Sequence, residues 1–450
     1  MKYLVVDDAR KGRSVLAAAR LQRGAQLLST VAYAAVSLAA CNGCLSPIAA
    51  SPPSLKRCGG CQLVRYCSRK CQQDDWVSGG HGKECAAWKR VPRDRASQTV
   101  LLVARLAARA FLSGEQNGRD ELLGLRHHYE DHSRWKLKEF EEMAQLVLLV
   151  LTRSKYNAQQ LSFDEMRVKF EHEIVRLLCR VNCNAFSICN DVNVPIGIGM
   201  FPEAALLNHS CTPNCIVSFD AGRKLSIQVV QDIDKGEELT ISYIELLESS
   251  AKRQNALLSS YFFQCECTRC LNSKTDATED QLLDGWLCPS QCCKEHRTTL
   301  MIATGAGGDR RWVCGNCGET SAIEATMKTL EGLEQARNPL LPVQDQWRHI
   351  QELWSTVEKH CHPKSTSYAN TSRMIGNFLI DHGADIFTSS DRAAQEAFSF
   401  LHRELDATQW VLPLIPLPSR GLLCVQLAKL SRQVGQNDEA RQFLHQALSM

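Results

Sequence analysis

The chain has almost no net charge: 52 basic against 49 acidic side chains leave +3 over 450 residues. So small an excess makes no case for nucleic acid from charge alone, and any basic surface has to be local. Nor is there an apolar run fit to span a bilayer. The nearest, Leu27 to Ala40, is about 14 residues long where a helix needs ~20, and nothing at the N-terminus looks like a secretory signal. A strict 34-residue repeat is also missing, which leaves a tetratricopeptide-like array weakly supported.

What stands out instead is cysteine, with 22 residues, many in C-x-x-C or C-x-C spacing. Clustered thiols with no route to an oxidising compartment read as metal ligands rather than disulfides, so zinc and a place in cytosol or nucleus are expected. Hydrophobic content of 44% and charged content of 22% are ordinary for a globular protein. At this length two or more domains are expected.

Residues 1 to 40 read as short strands joined by tight turns, with a polar turn at Asp7 to Arg13 and Gly24 between apolar runs. Residues 41 to 85 form the first cysteine block, entered through a Pro-rich loop of Pro47, Pro52 and Pro53. From about 94 to 180 apolar residues recur at helix period, as in Val100, Leu101, Val103, Ala104, Leu106 and Ala107. Near Asn184 the texture changes to short strands and turns, up to about 245. Phe219 to Arg223 reads as a hairpin turn, Leu225 to Val229 as the strand after it, and Lys235 to Glu238 as a turn before a strand holding Tyr243. Residues 322 to 450 return to helix, ending in a hairpin of Leu422 to Gln433 and Glu439 to Leu448 around Gly435.

The first block spaces Cys41-x2-Cys44, Cys58-x2-Cys61, Cys67-x3-Cys71 and His81-x3-Cys85, eight ligands for two tetrahedral sites. A segment so small needs metal to fold. With Tyr66-Cys67-Ser68 and Trp76 ahead of the His, it resembles the MYND zinc finger. That resemblance implies interleaved sites: Cys41, Cys44, Cys67 and Cys71 hold one zinc, Cys58, Cys61, His81 and Cys85 the other. Ser78-Gly79-Gly80 makes the gap before His81 longer than the family's. Such fingers dock proline-rich peptides, and Arg57, Arg65, Arg69, Lys70, Lys83 and Lys89 offer this one a basic face.

Further on stand Asn208-His209-Ser210-Cys211, then Glu238-Leu239-Thr240-Ile241-Ser242-Tyr243, then Cys265-x-Cys267-x2-Cys270. In that order they resemble the SET domain of protein lysine methyltransferases with its post-SET zinc site. The resemblance implies that Asn208, His209, Asn184 and Phe263 contact S-adenosylmethionine, joined by Gly12, Arg13 and His132, with Ser14 where the family has a second glycine. It makes Tyr243 the catalytic residue, Phe186 and Tyr261 walls of a lysine channel, and Cys211 the fourth zinc ligand beside Cys265, Cys267 and Cys270. Cys288, Cys292 or Cys293, Cys314 and Cys317 have zinc-ribbon spacing by themselves. The two neighbours compete for one place, Cys292 being carried as the ligand and His296 the weaker choice. The other six, Cys179, Cys183, Cys189, Cys215, Cys361 and Cys424, are expected to be small buried hydrophobes.

A finger inside a split SET sequence looks like the SMYD family (SET and MYND domain-containing), the extra cluster suggesting an arthropod-type branch. The fold expected is α+β: SET residues 1–40, MYND finger 41–85, helical insertion 86–180, SET core 181–250, post-SET and ribbon-like clusters 251–320, and a rather short all-α region 321–450. The function implied is lysine N-methylation of a histone or other protein, from S-adenosylmethionine, by a zinc-bearing monomer of cytoplasm and nucleus. The rival is a silent MYND/SET adaptor recruiting partners as a corepressor.

Overall fold

A computed structural model describes residues 2–46, 55–190, 194–220, 223–294, 299–304 and 311–449. The loop prolines Pro47, Pro52 and Pro53, the hairpin tip Ala221-Gly222, and His296 lie outside the described residues. The fold is α+β and divides into two units: residues 1–243 with 256–264, and residues 244–255 with 265–450. Among the described residues no helix is long and apolar enough to cross a membrane.

The first unit builds small sheets from distant segments. Strands β1 (Tyr3–Asp8) and β2 (Gly12–Ala17) form an antiparallel hairpin, whose turn is fixed by the Asp8 carboxylate accepting from the Arg10 and Lys11 N–H groups at 2.8 and 2.9 Å. Strand β3 (Gln26–Val31) and the short β4 (Ala34–Val36) then wait for partners far along the chain. The finger contributes a two-residue pair, β5 (Lys56–Arg57) with β6 (Arg65–Tyr66). After the helices come β7 (Ala185–Cys189), β8 (Pro195–Met200), β9 (Asn208–His209), β10 (Cys215–Asp220), β11 (Lys224–Val229) and β12 (Thr240–Ile241). The sheets are β10-β11-β3 and β4-β8-β7, both antiparallel, and β12-β9, parallel. In β11 the apolar side chains Leu225, Ile227 and Val229 recur at period two and are buried with Val15, Leu28, Phe201, Leu239 and Ile241. Each such side chain contributes about 1.5–3 kcal/mol by leaving water. Tyr243 lies just past β12 rather than within a strand.

The helical insertion packs α3 (Gln98–Ala107), α5 (Arg134–Arg153) and α6 (Phe163–Asn184) around a second core, with α1 (Arg69–Val77), α2 (His81–Trp88) and the short α4 (Arg119–Leu123) beside them. Ser97, Ser133 and Ser162 cap the three long helices, Ser162 closing a capping box with Glu165. Helix α3 is apolar on nearly every side yet buries Arg105. Its guanidinium donates to Glu84 Oε1 (2.9 and 2.7 Å) and to both oxygens of Asp75 (3.2 and 3.3 Å). Asp75 also accepts from Asn42 Nδ2 (2.7 Å), Tyr66 Oη (2.8 Å) and Arg223 (3.2 Å). Burial would raise the Asp75 pKa, but Arg105 and then Arg223 hold it at about 2. The finger is thereby bolted to the insertion and to the β10–β11 hairpin.

In the second unit a four-stranded antiparallel sheet (Trp286–Leu287, Leu300–Thr304, Arg311–Cys314, Thr320–Ser321) precedes six helices between Ile323 and Ser449. The last two, Pro418–Gln433 and Asn437–Ser449, turn at Gly435, whose φ of +84° suits glycine. Of the six cysteines outside any set, Cys179, Cys215, Cys361 and Cys424 are buried, whereas Cys183 and Cys189 are only partly so.

Because Arg105 leaves two buried carboxylates behind when removed, Arg105→Ala should lower stability by about 3–5 kcal/mol, read as a shift in urea midpoint. A change below 1 kcal/mol would remove the bolt.

Candidate active site and zinc centres

The finger's ligands converge in two interleaved groups. The sulfurs of Cys41, Cys44, Cys67 and Cys71 lie within 4.8 Å of one another, as do the ligand atoms of Cys58, Cys61, His81 and Cys85. Ser68 caps α1 by accepting from the Cys71 N–H (3.1 Å), which aims that thiol inward. The long gap before His81 is taken up by a turn only glycine can make. Gly80 has φ +85°, and a Cβ there would meet Tyr156 Oη at 2.2 Å. His81 Nε2 is then 3.4 Å from Cys58 Sγ and 3.6 Å from Cys61 Sγ, while Nδ1 faces Glu84 Oε1 at 3.4 Å. The Glu84 carboxylate, itself held by Arg105, orients the ring as a metal-bound histidine needs. Burial pushes the Cys58 thiol up, but hydrogen bonds from His81 and the Cys61 N–H bring it down to about 6. A thiol lowered in this way fits a zinc ligand.

In the second unit the converging sulfurs are Cys288, Cys293, Cys314 and Cys317. Cys292 is therefore corrected to Cys293. Neighbours on the helical turn Gln291–Lys294 point about 100° apart, so only one can face the other thiols. Cys293 is buried and 3.8 Å from Cys314, while Cys292 is exposed and lies 3.2 Å from Ser290 Oγ. Cys265, Cys267 and Cys270 cluster at the start of a short helix, Thr268–Asn272.

Around the paired strands β9 and β12 most of the expected donor-site residues meet. Thr240 pairs with Asn208 and Ile241 with His209. Asn208 Nδ2 donates to the Arg13 carbonyl and to Glu238 Oε1, both at 2.8 Å, with Ser14 Oγ at 3.3 Å. Glu238 also pairs with Lys11, so this carboxylate, a turn residue by sequence, ties the β1–β2 turn to the site. The Tyr243 N–H donates to His209 Nδ1 (3.1 Å) and its hydroxyl to the Leu207 carbonyl (2.6 Å). The other ring nitrogen of His209 lies 3.3 Å from Cys211 Sγ. Tyr261 stacks obliquely on Tyr243 at 4.8 Å and donates to its carbonyl (3.3 Å). Burial, then the Tyr261 phenol, drives the Tyr243 pKa above the usual tyrosine range, so its hydroxyl stays protonated.

Phe263 faces His209, ring centroids 6.2 Å apart. Its neighbour Phe262, at φ +62°, turns the other way, stacks on His128 (5.2 Å) and meets His132 edge-on (4.7 Å). His132 Nε2 is buried with no hydrogen-bond partner among the described residues. Asn184 ends α6, its amide nitrogen donating to the carbonyls of Arg126 (2.9 Å) and Arg180 (2.8 Å), which leaves the side-chain oxygen. Phe186 packs edge-on against Phe201 (5.8 Å); among the described residues its ring does not stack on either tyrosine. Gly12, at φ +82°, and Arg13 begin β2 beside this group. The missed residues are Glu238, Arg126 and His128; only the carboxylate just ahead of Leu239 to Tyr243 left any trace in the sequence.

A zinc finger docked on a small split β core, with a histidine-seated tyrosine, defines a SET-domain protein carrying a MYND module. The SET domain family matches residues 138–244 and the MYND finger family residues 37–85. Both modules together make the chain similar to SMYD-type proteins. It is 28% identical to the histone-lysine N-methyltransferase ASHR1 of Arabidopsis thaliana, over 98% of this chain and 89% of that one. It is 33% identical to the N-lysine methyltransferase SMYD2 of Gallus gallus (59% of each chain) and 31% to the histone-lysine N-methyltransferase SMYD3 of Homo sapiens (48% and 49%). The match thus spans only about half to three fifths of the SMYD2 and SMYD3 relatives. Among solved structures, the SET domain of LSMT bound to lysine and AdoHcy aligns over 99% of this chain and 86% of that one at 11% identity and a TM-score of 0.34, too slight to carry argument.

Metal analysis checks the corrected ligand. Cys293→Ser should lose one zinc equivalent per chain and Cys292→Ser none; the reverse pattern would restore Cys292.

Proposed function

We propose that this chain is a protein-lysine N-methyltransferase using S-adenosylmethionine, acting on a lysine of a histone or another protein. The observation that carries the reading is the seating of Tyr243, whose backbone N–H is fixed on His209 Nδ1 and whose hydroxyl is held protonated on the Leu207 carbonyl. The names of the relatives point the same way. The residues fit the methyl donor: an aromatic ring (Phe263) opposite His209, a buried imidazole nitrogen without a partner (His132), and cationic Arg13 beside a glycine turn. When bound, the donor supplies a methyl group on a positively charged sulfur.

The chain's own work is positional. Asn208 and Glu238 lock the β1–β2 turn onto β9. Tyr261 and Tyr243 present aromatic surface to an aliphatic stem with a cationic tip, and a fixed, neutral phenol orients the amine without taking its proton. The amine must be uncharged to react, and a lysine ammonium has a pKa of ~10.4, so rate should rise with pH. The raised Tyr243 pKa means that tyrosine ionisation imposes no falling limb below about pH 10. On the finger, Arg57, Arg65, Arg69, Lys70, Lys83 and Lys89 support docking of a proline-rich partner peptide. Reduced cysteines support work in cytoplasm and nucleus, and the chain is taken to act as a monomer.

Labelled donor with a cell-protein extract tests the reading. Tyr243→Phe should lower kcat by roughly 10²–10³-fold while donor affinity by calorimetry stays nearly constant. Folded, zinc-replete protein that binds no donor would leave only a partner-recruiting adaptor.

A further inference from the structure

The Arg126 guanidinium lies against the β1–β2 turn, close enough to Arg13 for the two charges to oppose each other. Gly12 lacks a side chain where it matters: a Cβ there would lie 2.5 Å from an Arg126 guanidinium nitrogen and 3.1 Å from its central carbon. The glycine therefore lets Arg126 lie flat on the backbone of the turn. Arg13 follows directly, partly buried, its charge disfavoured first by burial and then by Arg126 itself. Neither side chain makes a hydrogen bond or ion pair among the described residues. Of the nearby acids only Asp7 offsets this, and by less than burial and Arg126 oppose it. Glu238 is taken by Lys11 and Asn208, Asp8 caps its own turn, and Asp7, opposite Arg13 across the hairpin, forms no ion pair with it. Adjacent like charges without a counter-ion are an anion site in waiting.

The turn's position says which anion. The Arg13 carbonyl accepts from Asn208, whose neighbour His209 faces Phe263, so the pair stands at the donor site on the side of Asn208. Arg126 is anchored there as well, because its carbonyl accepts from Asn184 Nδ2. We propose that Arg126, from the loop after α4, joins Arg13 to hold the α-carboxylate of the methyl donor's amino-acid end, so that the site distinguishes donors by that carboxylate. Arg126 belongs to none of the motifs that mark the site. The proposal rests on the donor reading above and adds to it a selectivity that the reading does not require.

Calorimetry with S-adenosylhomocysteine and with its decarboxylated counterpart, which keeps the amine, separates the two. Wild-type protein should prefer the carboxylated ligand by roughly 10- to 100-fold, the worth of a charge-assisted hydrogen-bond pair. Arg126→Ala should erase most of that preference, weakening the carboxylated ligand and leaving the decarboxylated one nearly unchanged; Arg126→Lys should restore part of it. Arg126 is exposed, so neither variant threatens folding, which a thermal melt confirms. An Arg126→Ala protein that keeps the wild-type ratio, or loses both ligands equally, overturns the proposal with the donor reading intact. Wild-type protein that binds neither ligand overturns both.

Discussion

The site depends on a parallel ladder only two residues long. Strands β9 and β12 pair Asn208 with Thr240 and Ile241 with His209, and the Ser210 N–H extends the contact to the Ile241 carbonyl (3.0 Å). This places the chain so that Tyr243, two residues beyond, meets His209. So short a ladder contributes little by itself. It holds because both neighbours are clamped: Val15 and Ala17 of β2 bond the 237–239 segment, and Asn214 Nδ2 donates to the Glu238 carbonyl (2.8 Å) while its oxygen accepts from the Thr240 N–H. The Tyr243 ring is thus fixed twice, by this backbone pairing and by its own bond to the Leu207 carbonyl and oblique stacking on Tyr261.

A second constraint sets the finger. Burying Arg105, Asp75 and Glu84 together is costly unless every charge is matched, and here each carboxylate faces a guanidinium. Such a cluster gains little net stability over apolar packing. Glu84 serves both sides at once, orienting His81 in one zinc site and accepting from Arg105 of the insertion. Metal occupancy and docking are therefore mechanically linked.

The zinc ligands of the finger were legible because spacing marks eight of them within 45 residues, and the resemblance to the MYND finger implies how they interleave. Cys292 against Cys293 was not, since the choice turns on the phase of one helical turn that spacing does not encode. Tyr243, Asn208 and His209 were readable as motif residues, yet the bonds joining their segments run between residues 30 or more apart. Glu238 looked like an ordinary turn carboxylate until its partners Lys11 and Asn208 appeared. Arg105 and Arg126 gave no sign at all. A lone arginine in an apolar helix and another in a loop become informative only when Asp75, Glu84 or Gly12 arrives from elsewhere in the chain.

The pairing of β3 with β11 and of β4 with β8 has a consequence for the nascent protein. Val31 cannot meet Lys224, nor Ala34 meet Met200, until most of the first unit has left the ribosome. At about 5–20 residues per second the sticky segments around Leu27, Leu28 and Val36 stay uncovered for roughly 8–40 s. The finger, by contrast, has its full ligand set as soon as Cys85 emerges. Translation should therefore yield a metal-knotted bead trailing unpaired strand edges, a species that invites holdase chaperones and becomes more hazardous when zinc is scarce.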